Sequence, residues 1–129
     1  MERQWTEPEQ MLLRMAAKYT DAELAPYDLE MAHTNRYPDG LVDKLIQTGF
    51  LTVMLPTEYG GAGFGPEVTA AMIERIAKGS ASVAATLEGH YKSVAAVLKY
   101  GNDALKKNAA AASDTPDFCV WHDRVDRRF

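Results

Sequence analysis

Leu55-Pro56-Thr57-Glu58-Tyr59-Gly60-Gly61-Ala62-Gly63-Phe64-Gly65 is the stretch on which the reading of this chain turns. A short apolar, strand-like piece from Leu51 to Leu55 breaks at Pro56 and enters a loop holding four glycines. Glycine tolerates positive φ and close backbone approach, so the backbone rather than the side chains shapes such a loop. On both sides of it the pattern is helical.

Upstream, Thr6-Glu7-Pro8-Glu9 reads as a capping box with proline in the first turn. Leu12, Met15, Ala16 and Tyr19 follow at helical spacing, which predicts a helix from Glu7 to Leu24, stopped by Pro26. A short second helix is expected over Tyr27 to Ala32. A third is expected to open at Pro38, to carry Leu41, Val42, Leu45 and Ile46, and to end at Gly49. Downstream, Pro66 starts a fourth helix with Val68, Met72, Ile73 and Ile76 inward, closed by Gly79. Ser80 or Ser82 caps a fifth that runs to Tyr100, and Asn102 caps the start of a sixth. The expected class is all-α, a bundle of five to six helices.

The 129-residue chain carries 18 acidic against 14 basic side chains, a formal charge of −4, which argues against a nucleic-acid surface. The single cysteine, Cys119, cannot form an internal disulfide, so nothing asks for an oxidising compartment. The opening Met1-Glu2-Arg3-Gln4 does not read as a signal peptide, and no apolar run is long enough to span a membrane. A cytoplasmic location is the expectation. The apolar piece, the glycines and the following helix also resemble a dinucleotide-binding fingerprint. Pro66 stands where its third glycine belongs, and three helices precede it in place of alternating strands. His33, His90 and His122 share no ligand spacing, and Cys119-x-x-His122 lacks two further ligands, so no metal site is expected.

In this context Pro56-Thr57-Glu58-Tyr59-Gly60-Gly61-Ala62-Gly63 resembles a segment of the acyl-CoA dehydrogenase family. Other pieces stand in family order: Glu23-Leu24-Ala25-Pro26, Tyr37-Pro38 before Leu41-Val42-Asp43-Lys44-Leu45, and Ile73-Glu74-Arg75-Ile76-Ala77. Ser82-Val83-Ala84, Thr86-Leu87-Glu88-Gly89 and Tyr100-Gly101-Asn102-Asp103 before Lys106-Lys107 complete the series. The resemblance covers Trp5 to Lys107 and implies the N-terminal helical domain of a longer flavoenzyme. A parent of that kind would bind FAD, take acyl-CoA as substrate and pass electrons to an electron-transfer flavoprotein. There a glutamate removes the α-proton while the flavin takes the β-hydride. The family draws its flavin site and its glutamate from later segments, so no catalytic or cofactor-binding residue is assigned, and the chain by itself is expected to lack FAD and turnover. The domain's own contribution in the family is one wall of the acyl-chain channel, which by motif falls on Ala85, Glu88 and Gly89. Lys92 follows one turn later, with Glu88 placed four residues before it in the favourable order for an ion pair.

From Asn108 the character changes, so residues 1–107 read as the family-like domain and 108–129 as a tail outside it. Codons for residues 117–129, read one base later with all synonymous choices open, permit I-S-A-F-G-M-T-E-L-T-A-G-S. That string resembles the family's flavin-contacting continuation, and Lys106-Lys107-Asn108 implies an adenine-rich stretch where a base is readily lost or gained. The expectation is a frame shift near codons 106 to 109. The contrasting reading is a stand-alone helical module that binds a partner, or associates with itself through apolar surface that intact relatives cover.

Overall fold

The computed structural model describes residues 3–113, and every regular element among them is helical. Residues 114–129, which carry Cys119, His122 and the expected frame-shifted string, lie outside the described residues. The chain divides into two compact units.

The first unit comprises residues 3–36 and 64–88. Helix α1 (Glu7–Tyr19) starts where the capping residues predict: the Glu9 carboxylate accepts the Thr6 backbone N–H at 2.8 Å and the Thr6 hydroxyl at 3.0 Å. The helix does not run unchanged to Leu24. Thr20–Leu24 form a π-helical turn in which the Ala25 N–H reaches back to the Thr20 carbonyl, followed by a 3₁₀ turn at Ala25–Tyr27. The wider turn keeps Thr20 and Leu24 buried just before Pro26, which has no N–H to continue the ladder. Helix α2 (Asp28–Thr34) ends on Asn35, whose φ of 51° places it in the left-handed region.

Helix α4 (Pro66–Ala77) packs against α1, with Val68, Thr69, Met72 and Ile76 buried. Ile73, expected inward, is only half-buried. Leu12, Leu13, Ala16, Leu24 and Met31 are buried on the other helices of the unit. Burying an aliphatic side chain of this kind contributes about 1.5–3 kcal/mol, so the apolar stripes and not the caps hold the unit together.

The second unit comprises residues 37–63 and 89–113. Helix α3 (Leu41–Gln47) begins three residues after Pro38, because the Pro38 carbonyl first closes a turn onto the Leu41 N–H at 3.1 Å. Gly49, at φ 77°, ends the segment as expected. Residues 51–55 form turns rather than the expected strand-like piece. The Thr52 N–H bonds the Gly49 carbonyl and the Leu55 N–H bonds the Thr52 carbonyl, so the chain curls with three-residue steps. Phe50, Leu51, Val53 and Leu55 are nevertheless buried, since curling satisfies both burial and backbone bonding without a neighbouring strand.

Helix α5 (Ala81–Tyr100) contributes residues 81–88 to the first unit and 89–100 to the second. Ser80 stands at its start, its hydroxyl 3.5 Å from the Val83 N–H. Helix α6 (Asp103–Ser113) is capped by Asn102, whose Oδ1 accepts the Leu105 N–H at 2.9 Å. The alanine run from Ala109, which shows no periodicity in the sequence, continues α6 past the expected boundary at Lys107. Alanine is the strongest helix former, and Ala110 and Ser113 are buried. No helix of the described residues is long and apolar enough to cross a membrane.

Candidate functional site

Val83, Ala84, Leu87, Tyr91 and Val94 recur along α5 at three- and four-residue steps and are all buried. Ala85, Glu88, Gly89 and Lys92 are offset from that stripe, and all four are exposed. Their spacing puts them on one face of a single helix, the side turned away from the buried stripe. Glu88 and Lys92 stand one turn apart on it.

Gly89 is the informative member. A Cβ built on it would meet nothing within 4 Å, and its backbone is ordinary helix. A glycine in a helix interior costs about 1 kcal/mol relative to alanine, and no contact among the described residues requires one here.

Behind this face, two neighbouring side chains hold α5 to the turns that lead into the glycine-rich loop. His90 Nε2 lies 2.7 Å from the Leu51 carbonyl oxygen, which can only accept, so the ring carries its proton on Nε2. The Tyr91 hydroxyl donates to the Phe50 carbonyl. The two rings meet edge to face, 5.1 Å between centroids. Burial pushes the Tyr91 phenol well above its ordinary value, which keeps it a donor. His90 is thus a half-buried histidine whose Nε2 is satisfied by a main-chain carbonyl. The described residues hold no cluster of three or more metal-ligating side chains. Sequence reasoning passed over Tyr91, although a tyrosine at an inward position of the α5 stripe demands a partner for its hydroxyl.

Burial is also the main cause holding the His90 pKa below its ordinary 6.5, against a smaller opposing effect of the Leu51 carbonyl. The unfolded chain therefore binds this proton at a higher pH than the folded one, and stability falls as pH drops through that window. Urea unfolding is expected to show a loss between about pH 7.5 and about pH 5.5, and His90→Gln is expected to flatten it. Equal slopes in the two proteins would exclude His90 as the source.

The loop itself is built by main-chain bonds. The Gly61 N–H reaches the Pro56 carbonyl at 3.1 Å, Ala62 N–H the Thr52 carbonyl at 3.2 Å, and Gly63 N–H the Leu55 carbonyl at 2.9 Å. Gly60 and Gly63 have positive φ, and Thr57–Tyr59 make a 3₁₀ turn. Desolvation, with the Asp103 carboxylate and Glu58 nearby, raises the Tyr59 phenol. The loop's amides are thus spent on its own carbonyls, unlike a phosphate-cradling loop that turns them outward.

A family model described as the N-terminal domain of acyl-CoA dehydrogenase matches residues 6–112. The 3-sulfinopropanoyl-CoA desulfinase of Cupriavidus necator is 37% identical over 91 residues, which is 67% of this chain and 23% of the relative. The glutaryl-CoA dehydrogenase of Desulfococcus multivorans is 30% identical over 113 residues, 84% of this chain and 29% of the relative. Among solved structures, the butyryl-CoA dehydrogenase of Megasphaera elsdenii superposes with a TM-score of 0.77 at 25% identity, covering 88% of this chain and 31% of that one. The chain thus spans less than a third of the length of these relatives.

Proposed function

The chain belongs to the acyl-CoA dehydrogenase family as its N-terminal helical domain, and from that premise we propose that the exposed face of α5 forms one wall of the acyl-chain channel of a flavin-dependent acyl-CoA dehydrogenase. The observation that carries this reading is Gly89, a mid-helix glycine that no contact among the described residues explains, beside Ala85 on the same face. A wall of a methyl group and a bare Cα leaves width for hydrocarbon. FAD, held by the parent enzyme, would supply the hydride acceptor, with an electron-transfer flavoprotein downstream.

The relatives' names span several acyl groups, cyclohex-1-ene-1-carbonyl-CoA and butyryl-CoA among them, and two of those names guide the reading of Lys92. 3-Sulfinopropanoyl-CoA ends in a sulfinate and glutaryl-CoA in a carboxylate. Lys92 is the cation that this face of α5 carries one turn beyond Glu88, and an acyl group with an anionic end is the substrate that suits it.

The test exchanges residues 6–112 for the matching segment of butyryl-CoA dehydrogenase and measures acyl-CoA oxidation with flavin content. The chimera is expected to keep its flavin, and Gly89→Leu to lower kcat/KM about tenfold or more by filling the channel. Lys92→Met is expected to shift the ratio of glutaryl-CoA to butyryl-CoA activity toward butyryl-CoA. Unchanged kcat/KM in Gly89→Leu would sink the wall assignment, and an unchanged ratio would sink the anionic-end assignment alone. The 129-residue chain by itself is expected to purify without flavin absorbance.

A second reading, a helical module that associates with itself or binds a partner, is favoured by Met11 and Met15, one turn apart on α1 and 57% and 47% exposed. Light scattering across a dilution series separates a monomer from an associating chain.

A further inference from the structure

We infer that the corner where α5 turns into α6, in the second unit, docks on an anionic lipid bilayer, with Lys99, Lys106 and Lys107 at the headgroups and Tyr100 and Leu105 set into the interface. The inference stands apart from the acyl-channel reading. Charge is unevenly placed along the chain. Residues 89–113 carry four lysines against one carboxylate, Asp103, whereas residues 1–88 carry 13 carboxylates against seven cationic side chains. Lys92 belongs to the proposed channel face, which leaves three lysines beside the corner.

The turn between the helices is tight. The Gly101 N–H bonds the Val97 carbonyl at 2.8 Å and closes α5, and Asn102 caps α6. A Cβ on Gly101 would stand 2.5 Å from the Val97 carbonyl oxygen and 3.2 Å from Leu105 Cδ2, so the Leu105 side chain lies over the glycine. Tyr100 and Leu105, on either side of it, are 78% and 48% exposed. Lys99 reaches across the Tyr100 ring, its Nζ 5.3 Å from the centroid. Lys99 and Lys107 are exposed and Lys106 is half-buried, and none of the three forms an ion pair with a described residue. The Asp103 carboxylate accepts the Tyr59 hydroxyl, so it is engaged by the glycine-rich loop.

Residue type decides between occupants. Acidic protein partners are met by arginine, whose planar fork takes a carboxylate with two parallel bonds, and lysine is depleted from protein interfaces. All three free cations of this corner are lysines. An anionic bilayer attracts lysines as point charges, without a fixed geometry, at about fivefold in affinity for each. An exposed tyrosine has an apolar ring and a polar tip, and lysine carries its charge on an apolar stem. Both suit the headgroup layer, where one end of a side chain is wet and the other is not.

The test mixes the full 129-residue chain with vesicles of equal parts phosphatidylglycerol and phosphatidylcholine, or of phosphatidylcholine alone, and reads binding by sedimentation. Binding to the anionic vesicles is expected, weakening with added salt. Lys99→Gln/Lys106→Gln/Lys107→Gln is expected to weaken it about a hundredfold, and Tyr100→Ser/Leu105→Ser about tenfold or more. Arg14→Gln/Arg75→Gln, which removes two exposed charges from the first unit, is expected to change it less than about threefold. With the ¹⁵N-labelled chain, a nitroxide lipid in the anionic vesicles is expected to broaden the Tyr100, Gly101 and Leu105 signals before those of α1. Absence of binding, equal binding to both vesicles, an unaffected triple lysine variant, or broadening that maps elsewhere would overturn the inference. So would equal shifts of the same signals with a glutamate-rich peptide or with glycerol phosphate, since the corner would then take an acidic protein or a free phosphate. Salt dependence and broadening are read on the unaltered chain, so the inference remains falsifiable even if a variant unfolds.

Discussion

Gly61→Ala destabilises the second unit by about 3 kcal/mol or more, the upper end of what overpacking costs, and lowers the melting temperature by about 10 °C or more. A Cβ at this position would stand 2.0 Å from the Leu55 carbonyl oxygen, 2.4 Å from its Cβ and 2.5 Å from its carbonyl carbon. No rotamer change relieves this, because two of the three atoms are main chain. The same oxygen accepts the Gly63 N–H at 2.9 Å, so moving it aside breaks the bond that closes the loop. The neighbour separates this cause from the usual one. Gly60 sits at φ 83° with nothing within 4 Å of its Cβ, so Gly60→Ala meets only left-handed strain, about 1–2 kcal/mol. Thermal unfolding followed by circular dichroism ranks the two variants. If Gly60→Ala proved the worse, backbone conformation and not close approach would explain the paired glycines.

What was legible in the sequence was local. Thr6 with Glu9, Pro66, Gly49 and Asn102 mark helix ends with groups that act within three or four residues, and each stands at or beside the end it marks. Ala85, Glu88, Gly89 and Lys92 came from the family resemblance and not from the helix pattern; they stand on the side of α5 away from the buried Val83, Leu87, Tyr91 and Val94. Residues 51–55 misled because a short apolar run reports burial and not the presence of a second strand to pair with. The π turn after Tyr19 was invisible, since one wider turn leaves the apolar spacing nearly unchanged. The alanine run looked featureless because periodicity was sought where propensity alone makes the helix. The partners of His90 and Tyr91 could not be read at all, for they are main-chain carbonyls that every residue possesses, 39 and 41 positions away.

Those two carbonyls lead to the second large effect. Phe50→Ala is expected to cost about 3–5 kcal/mol, the range for emptying a buried aromatic site. Phe50 is 1% exposed, and Leu51, Val53 and Leu55 in the same turns are equally enclosed, so no neighbour can swing in from solvent to fill the void. Tyr91→Phe removes only the donor to the Phe50 carbonyl and costs about 1–3 kcal/mol, the desolvation of an unsatisfied acceptor. The double variant tells how the turns respond. If residues 50–55 keep their course without the ring, the two losses add within about 0.5 kcal/mol. If the turns collapse into the cavity, the carbonyl has already left Tyr91, and the double variant is little worse than Phe50→Ala alone. Urea unfolding of the four proteins measures the difference, and a Phe50→Ala loss under about 1 kcal/mol would show that the ring does not anchor the turns. The same geometry separates stability from function on α5. Tyr91 and His90 hold one side of the helix to residues 50–51, and Gly89 lies outside that packing, so Gly89→Leu should gain up to about 1 kcal/mol of helix propensity while Phe50→Ala shifts the unfolding curve strongly the other way.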